Sequence, residues 1–300
     1  MKKVVVYVLI TAFVFATMEV ALKLAGGQMD PFQLTFLRFI VGGLVLLPFA
    51  LAEIKTRNSR LNARDYLYLT ALGIVCIPVS MVFFQLGVTH SNASTAAVLF
   101  SINPLFSIVF AHFLTSERIT KEKAVFLLLG VFGVVFILRP WELQAGNTAA
   151  GLAYTLSAAL FFGLYTVMGK ISAEKMGIIA QTAISFILGS SVLLVVMIIT
   201  GKPILRGVPE NIALVLYIGL IVTGLGYYSY FMAIRYSDVT TGSFAFFIKP
   251  VLAPVIAVIV LGEKILWNTY IGIAFILAAS YLNIKDKRKS SAEINRGAQN

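Results

Sequence analysis

Apolar residues run along this chain in long blocks, and the polar residues gather in the short intervals between them. The blocks lie at Val4–Leu24, Pro31–Ala52, Tyr66–Val88, Ala93–Thr115, Ala124–Leu138, Ala149–Gly169, Ile178–Thr200, Ile212–Ala233, Val239–Leu261 and Trp267–Ile284. An α-helix of about 20 residues spans the roughly 30 Å hydrocarbon layer of a bilayer. The pattern therefore predicts an all-α membrane protein of about ten spanning helices. The connections between blocks are mostly about 5–12 residues, so the helices are expected to pack as one bundle. The first block opens on Lys2-Lys3 as a secretory signal would. No small-residue cleavage site follows it, and it carries Glu19 and Lys23. Residues 285–300 are polar and charged and read as a solvated tail.

The hydrophobic pattern is written twice. Asn92–Leu138 and Asp238–Ile284 share one register: Ser91 falls on Ser237, Ser94-Thr95 on Thr240-Thr241, Phe100 on Phe246, Ile102 on Ile248, Pro104 on Pro250, Val109 on Val255, Ala111 on Ala257 and Glu117 on Glu263. At an offset one residue larger, Lys23 falls on Lys170, Phe39 on Phe186, Gly42 on Gly189 and Val45 on Val192. The repeating units are residues 1–140 and 149–284. With an odd number of spans per unit, the second copy crosses the bilayer in the opposite sense to the first. That is the inverted five-helix plan of secondary transporters, whose substrate site lies between the halves.

Composition agrees with the pattern and charge orients it. The chain is 59% hydrophobic and 12% charged over 300 residues, with a net charge of +11. Soluble domains carry about 25% charged residues. With the N-terminus inside, most of the 24 Lys and Arg fall in inner loops and the tail. The outer loops and flanks hold only Lys23, Arg139, Lys202, Arg206 and Lys264. This asymmetry predicts cytoplasmic termini and accounts for the basic balance without nucleic acid. The single cysteine, Cys76, excludes an intrachain disulfide and suits a small core residue of the third span.

Specific segments resemble the EamA type of the drug/metabolite transporter superfamily. They are Ala21–Lys23 closing the first span, P-F-Q-L-T-F-L-R-F at Pro31–Phe39, N-P-L-F-S-I-V-F-A-H-F-L-T-S-E-R-I-T from Asn103, and K-P-V-L-A-P-V-I-A-V-I-V-L-G-E-K from Lys249. The resemblance implies ten helices in two inverted five-helix repeats around a central cavity. It also implies movement of small metabolites, by export or exchange, across a bacterial cytoplasmic membrane.

Ionisable groups inside a bilayer cost about 2.5–3.5 kcal/mol on insertion scales, so each calls for a reason. Glu19 and Arg38 lie in the outer halves of the first two spans, and Lys249 lies near the middle of the ninth. Two readings stand side by side. Glu19 pairs with Arg38 or Lys249 to hold the bundle, or Lys249 binds a substrate anion while Glu19 titrates or changes partners. Asn103-Pro104 is the repeat mate of Lys249-Pro250, so both copies set a polar residue before a proline that frees a backbone carbonyl. Tyr227, Tyr228 and Tyr230 in the eighth span, Tyr165 in the sixth and Gln85 in the third are further candidates for the pocket. Glu117 and Glu263 close their helices near the surface and read as capping groups.

No H-E-x-x-H, phosphate-cradling glycine loop or paired deep carboxylate is present, so neither an enzyme nor an intrinsic ATP motor is expected, and no cofactor. The expected partners are a small-molecule substrate, the lipid bilayer, and protons or a countersubstrate. A receptor or scaffold, and an exchanger of phosphorylated or carboxylated metabolites, are the alternatives. Substrate, direction and oligomeric state are not written in the residues.

Overall fold

The structure is a computed structural model that describes residues 2–115, 118–138, 145–236, 244–278 and 281. Glu117, Arg139, Ser237, Thr240-Thr241 and the tail from residue 285 lie outside the described residues. Among the described residues seven helices are long and apolar enough to cross a membrane: α1 (Lys3–Gly26), α2 (Pro31–Thr56), α3 (Ala63–Thr89), α4 (Ala93–Leu114), α6 (Ala149–Met176), α7 (Ile178–Ile199) and α8 (Pro209–Ala233). Shorter apolar helices occupy the fifth, ninth and tenth predicted blocks: α5 (Lys121–Leu138), α9 (Phe244–Leu261) and α10 (Trp267–Ala278). The chain is a multi-pass membrane protein.

Local chemistry starts the helices where the blocks begin. Pro31 opens α2, and the Asp30 carboxylate accepts from Phe32 N at 2.8 Å. Asn62 and Asp65 form a reciprocal capping box at the start of α3. Thr148 caps α6, its hydroxyl accepting from Gly151 N at 3.0 Å. Between α6 and α7 the chain turns on Gly177, whose φ of 95° a side chain would disfavour. Glu53 of α2 then accepts from Ile179 N and Ala180 N, satisfying the first donors of α7.

Among the described residues α1 is briefly interrupted at Thr17, and three further spans depart more strongly from regular α geometry. α3 widens into a π segment at Val75–Met81, where Pro78 cannot donate to the carbonyl one turn back. α8 widens likewise at Tyr217–Leu225, and there the Thr223 hydroxyl donates to Ile218 O at 2.9 Å. α4 is interrupted at Ser101-Ile102 and restarts at Asn103. Asn103 Nδ2 donates to Phe100 O at 2.9 Å across the break.

Packing is reciprocal between the two parts of the chain. The second spans, α2 and α7, pack along each other at the centre. α1 packs on α8 and α9, while α6 packs on α3 and α4. α2 also packs on α8, and α7 on α3. Apolar helices gain little from leaving lipid for one another, so close backbone approach has to supply the attraction. Gly73 and Gly189 meet backbone to backbone, and a Cβ on either would collide with the other's main chain. Gly133 of α5 fits similarly against Gly272 and Ile276 of α10. The large exposed apolar residues, among them Leu44, Leu51, Val195, Ile199 and Ile259, lie on the outside of the bundle, where lipid would meet them.

Candidate functional site

Glu19, Arg38 and Lys249 are the only acidic or basic residues among the buried described ones. They come from α1, α2 and α9, and the packing of both parts of the chain brings them to one region. Lys249 Nζ stands 2.6 Å from Glu19 Oε1, with side-chain exposures of 4% and 1%. The other carboxylate oxygen, Oε2, has no hydrogen-bond donor. The ammonium also lies 5.5 Å from the centre of the Phe100 ring. Of the two partners expected for Glu19, the geometry selects Lys249.

Arg38 is left without a carboxylate. Among the described residues its only hydrogen bond is from Nη2 to the sulfur of Met81 at 3.1 Å, and Nε has no acceptor. Its guanidinium sits over Phe39 at 4.4 Å and near Phe84 at 5.9 Å. Glu19, Tyr227 and Cys76 are within electrostatic reach but make no ion pair with it. Counted at their formal charges, the one buried acid and two buried bases among the described residues sum to one positive charge.

Aromatic rings surround the charges. Phe39 meets Phe186 edge-on at 4.7 Å, and Phe186 meets Tyr227 at 5.2 Å, with the planes perpendicular. On the other side Phe84 contacts Phe100 at 4.4 Å, Phe100 contacts Phe162 at 5.2 Å and Phe162 contacts Tyr165 at 5.5 Å. The Tyr165 hydroxyl accepts from Gln181 Nε2 at 3.3 Å, and the same amide reaches Ser185 Oγ at 3.4 Å. Thr182 Oγ1 donates back to Gln181 Oε1 at 3.3 Å. The belt can offer a molecule a cation, hydroxyl and amide groups, and apolar ring faces.

The sequence candidates separate on this frame. Glu19, Lys249, Arg38, Tyr165 and Tyr227 converge. Tyr228, one residue from Tyr227, instead packs on Phe49 of α2, a residue 40% exposed. Gln85 is buried and ties α3 to α1 by donating to Leu22 O at 3.3 Å. Asn103 is spent on the break in α4 rather than turned to the charges. Gln181, Thr182 and Ser185 escaped sequence reasoning. The repeat held a signal for one of them, because the offset that places Phe39 on Phe186 places Arg38 on Ser185.

At the end of the bundle where α9 stops, Glu263 behaves as the cap its position predicts. Its carboxylate accepts from Ala93 N at 2.6 Å, Ser94 N at 3.0 Å and Ser94 Oγ at 2.5 Å, so it closes the start of α4. Beside it, Lys23 Nζ donates to the carbonyls of Val88, Thr89 and Ser91 at 3.0, 3.1 and 2.5 Å. Asn147 accepts from Asn92 N and donates to Thr95, which fastens the central connection to the same end.

A helical membrane bundle with a polar, charge-bearing centre assembled from both parts of one chain is the architecture of a membrane transporter. Comparison with known proteins agrees: the model of the EamA-like transporter family matches residues 2–139 and again 149–285, and the chain belongs to that family. An uncharacterized transporter of Clostridium kluyveri is 38% identical over 97% of this chain and 96% of its own length. One from Archaeoglobus fulgidus is 25% identical over 96% of this chain and 100% of its own. A WAT1-related chloroplastic protein of Arabidopsis thaliana is 28% identical over 92% of this chain and 68% of its own. A solved crystal structure superposes with a TM-score of 0.68 at 19% identity, covering 96% of this chain and 98% of that one, and shows the fold alone.

Proposed function

We propose that this protein is a secondary active transporter that moves a small metabolite, an amino acid or related organic compound, across a bacterial cytoplasmic membrane in the direction of export. Its two halves, residues 1–140 and 149–284, are inverted five-helix repeats that rock about a shared site and open it to each side in turn. The observation that carries this reading is the buried pair Glu19–Lys249, one residue from each half. A buried charge pair across a moving interface is a poor choice for stability alone. It suits an interface whose contacts are broken and remade as the site is loaded. The reciprocal packing of first, second and third spans supports the inverted plan. Glu19 is the candidate proton carrier, and exchange against a countersubstrate is the alternative coupling. Both termini are taken to be cytoplasmic, as the loop charges require.

The reading is tested with purified protein in lipid vesicles, screened for uptake of labelled metabolites with and without an imposed pH gradient. Uptake of at least one small metabolite above empty vesicles is expected. No uptake or exchange across a broad panel, by protein that is folded, would end the transporter reading.

Orientation has its own measurement. In a Cys76→Ala background, a cysteine at Asn147 is expected to react with an impermeant maleimide on intact cells. A cysteine at Asn58 should react only after permeabilisation. The opposite pattern would reverse the orientation.

A further inference from the structure

A guanidinium has five N–H donors in a planar fork that matches a carboxylate. Among the described residues Arg38 uses one of them, on a thioether that is a weak acceptor, and it is 3% exposed. Buried charges are ordinarily paired, as Lys249 is with Glu19. Glu19, the one buried acid among the described residues, is already in contact with Lys249, so the formal positive charge left over belongs to Arg38. We infer that Arg38 seats the carboxylate of a monoanionic organic substrate whose apolar, ring-sized body lies along the belt of Phe39, Phe84, Phe186 and Tyr227. This rests on the transport reading and names the substrate class of that same site.

Three features select the class. The formal charge left over among the buried described residues is one unit, which a monocarboxylate neutralises and a phosphate dianion overshoots. The walls beside Arg38 are ring faces and edges, with Phe39 and Phe84 against the guanidinium itself. Finally, the repeat mate of Arg38 is Ser185, whose hydroxyl is engaged with Thr182 O at 3.0 Å and Gln181. The second half therefore supplies no cation at the position that mirrors Arg38, and its own buried cation, Lys249, is already paired with Glu19, so the site takes one acidic group in one orientation.

The probes are 3-phenylpropionate, its amide, and inorganic phosphate, added to the full chain purified in detergent. 3-Phenylpropionate is expected to raise the thermal unfolding midpoint with a saturable concentration dependence, and the amide and phosphate should leave it unchanged. Arg38→Gln should weaken 3-phenylpropionate by about tenfold or more, the loss expected for a charge-assisted hydrogen bond pair. Arg38→Lys should recover part of the binding. In the absence of probe, Arg38→Met should unfold no lower than the wild type, because it removes a charge that no carboxylate compensates.

Equal protection by acid and amide, protection by phosphate alone, or no protection by any probe would overturn the assignment. So would undiminished binding in Arg38→Gln, or an Arg38→Met protein that melts well below the wild type. Should Arg38→Gln or Arg38→Lys fail to fold, the three-probe comparison on the wild type still decides. Vesicles that move neutral or cationic metabolites equally well with Arg38→Gln would remove Arg38 while leaving the transporter reading intact.

Discussion

Replacing Glu19 by Gln is expected to destabilise the protein by about 3–5 kcal/mol, the cost of breaking one member of a buried ion pair. The carboxylate is the only negative group among the buried described residues, so its loss leaves two cations, Lys249 and Arg38, with nothing to offset them. Lys249→Gln should cost less, because Glu19 then keeps Arg38 within electrostatic reach and the remaining charges cancel. The double replacement by Gln should recover most of the Glu19→Gln loss, since a lone positive charge at Arg38 is the condition of the wild type. Thermal unfolding of the three variants in one detergent measures this ordering. If Lys249→Gln is the most damaging of the three, or if the two single effects simply add, the pair is not the unit described here. In vesicles, the double variant should still exchange substrate but should lose accumulation driven by a pH gradient, because it has no carboxyl to carry the proton. Accumulation that survives would move the coupling elsewhere.

Glu263→Ala is expected to lower stability by about 2–4 kcal/mol. One carboxylate satisfies two backbone donors and one hydroxyl at the start of α4, and hydrogen bonds to a charged acceptor contribute roughly 1.5–3 kcal/mol each. Glu263→Gln keeps one oxygen acceptor and should lie between Ala and the wild type. Ser94→Ala removes only the hydroxyl and should cost about 1 kcal/mol. A double-mutant cycle between Glu263→Ala and Ser94→Ala should be clearly non-additive, because the second change removes a donor whose acceptor is already gone. Additive losses would mean that the capping geometry does not persist in solution.

Seven of the ten expected spans were legible in the sequence because a bilayer leaves one solution to a long apolar block, while the fifth, ninth and tenth blocks form shorter apolar helices among the described residues. The reciprocal contacts followed from the repeat, and the same register exposed the polar-before-proline positions. The choice of Lys249 over Arg38 as the partner of Glu19 was not legible. All three residues lie on different helices, and only the rotation of those helices about their axes decides which two touch. Tyr227 and Tyr228 show the same gap, since adjacent side chains on a helix point about 100° apart and no periodicity in a uniformly apolar span marks the inward face. Gln181 and Ser185 carry no charge, so neither had the insertion cost that drew attention to Glu19 and Arg38. The two copies also differ at the equivalent prolines. α4 breaks before Asn103-Pro104, whereas α9 runs helically through Lys249-Pro250 and Pro254.

The wide turns in α3 and α8 bear on how the next residues are aimed. At the exits of both segments the amide of Val82 reaches Ile77 O and that of Gly226 reaches Ile221 O, five residues back instead of four. Each such turn accommodates one residue more than an α turn, and one residue is about 100° of helical rotation. A helical wheel drawn through α8 in a single phase therefore misplaces Tyr227 by more than a quarter of a circle. Deleting one residue from Tyr217–Leu225 would let the span close into plain α-helix, intact and just as apolar, with Tyr227 still facing its present neighbours, because the residue removed is the surplus one that the wide turn absorbs. In such a span the reading frame of the spiral matters as much as its amino acids, and the wide turn is where a one-residue change of length is taken up without turning the side chains beyond it.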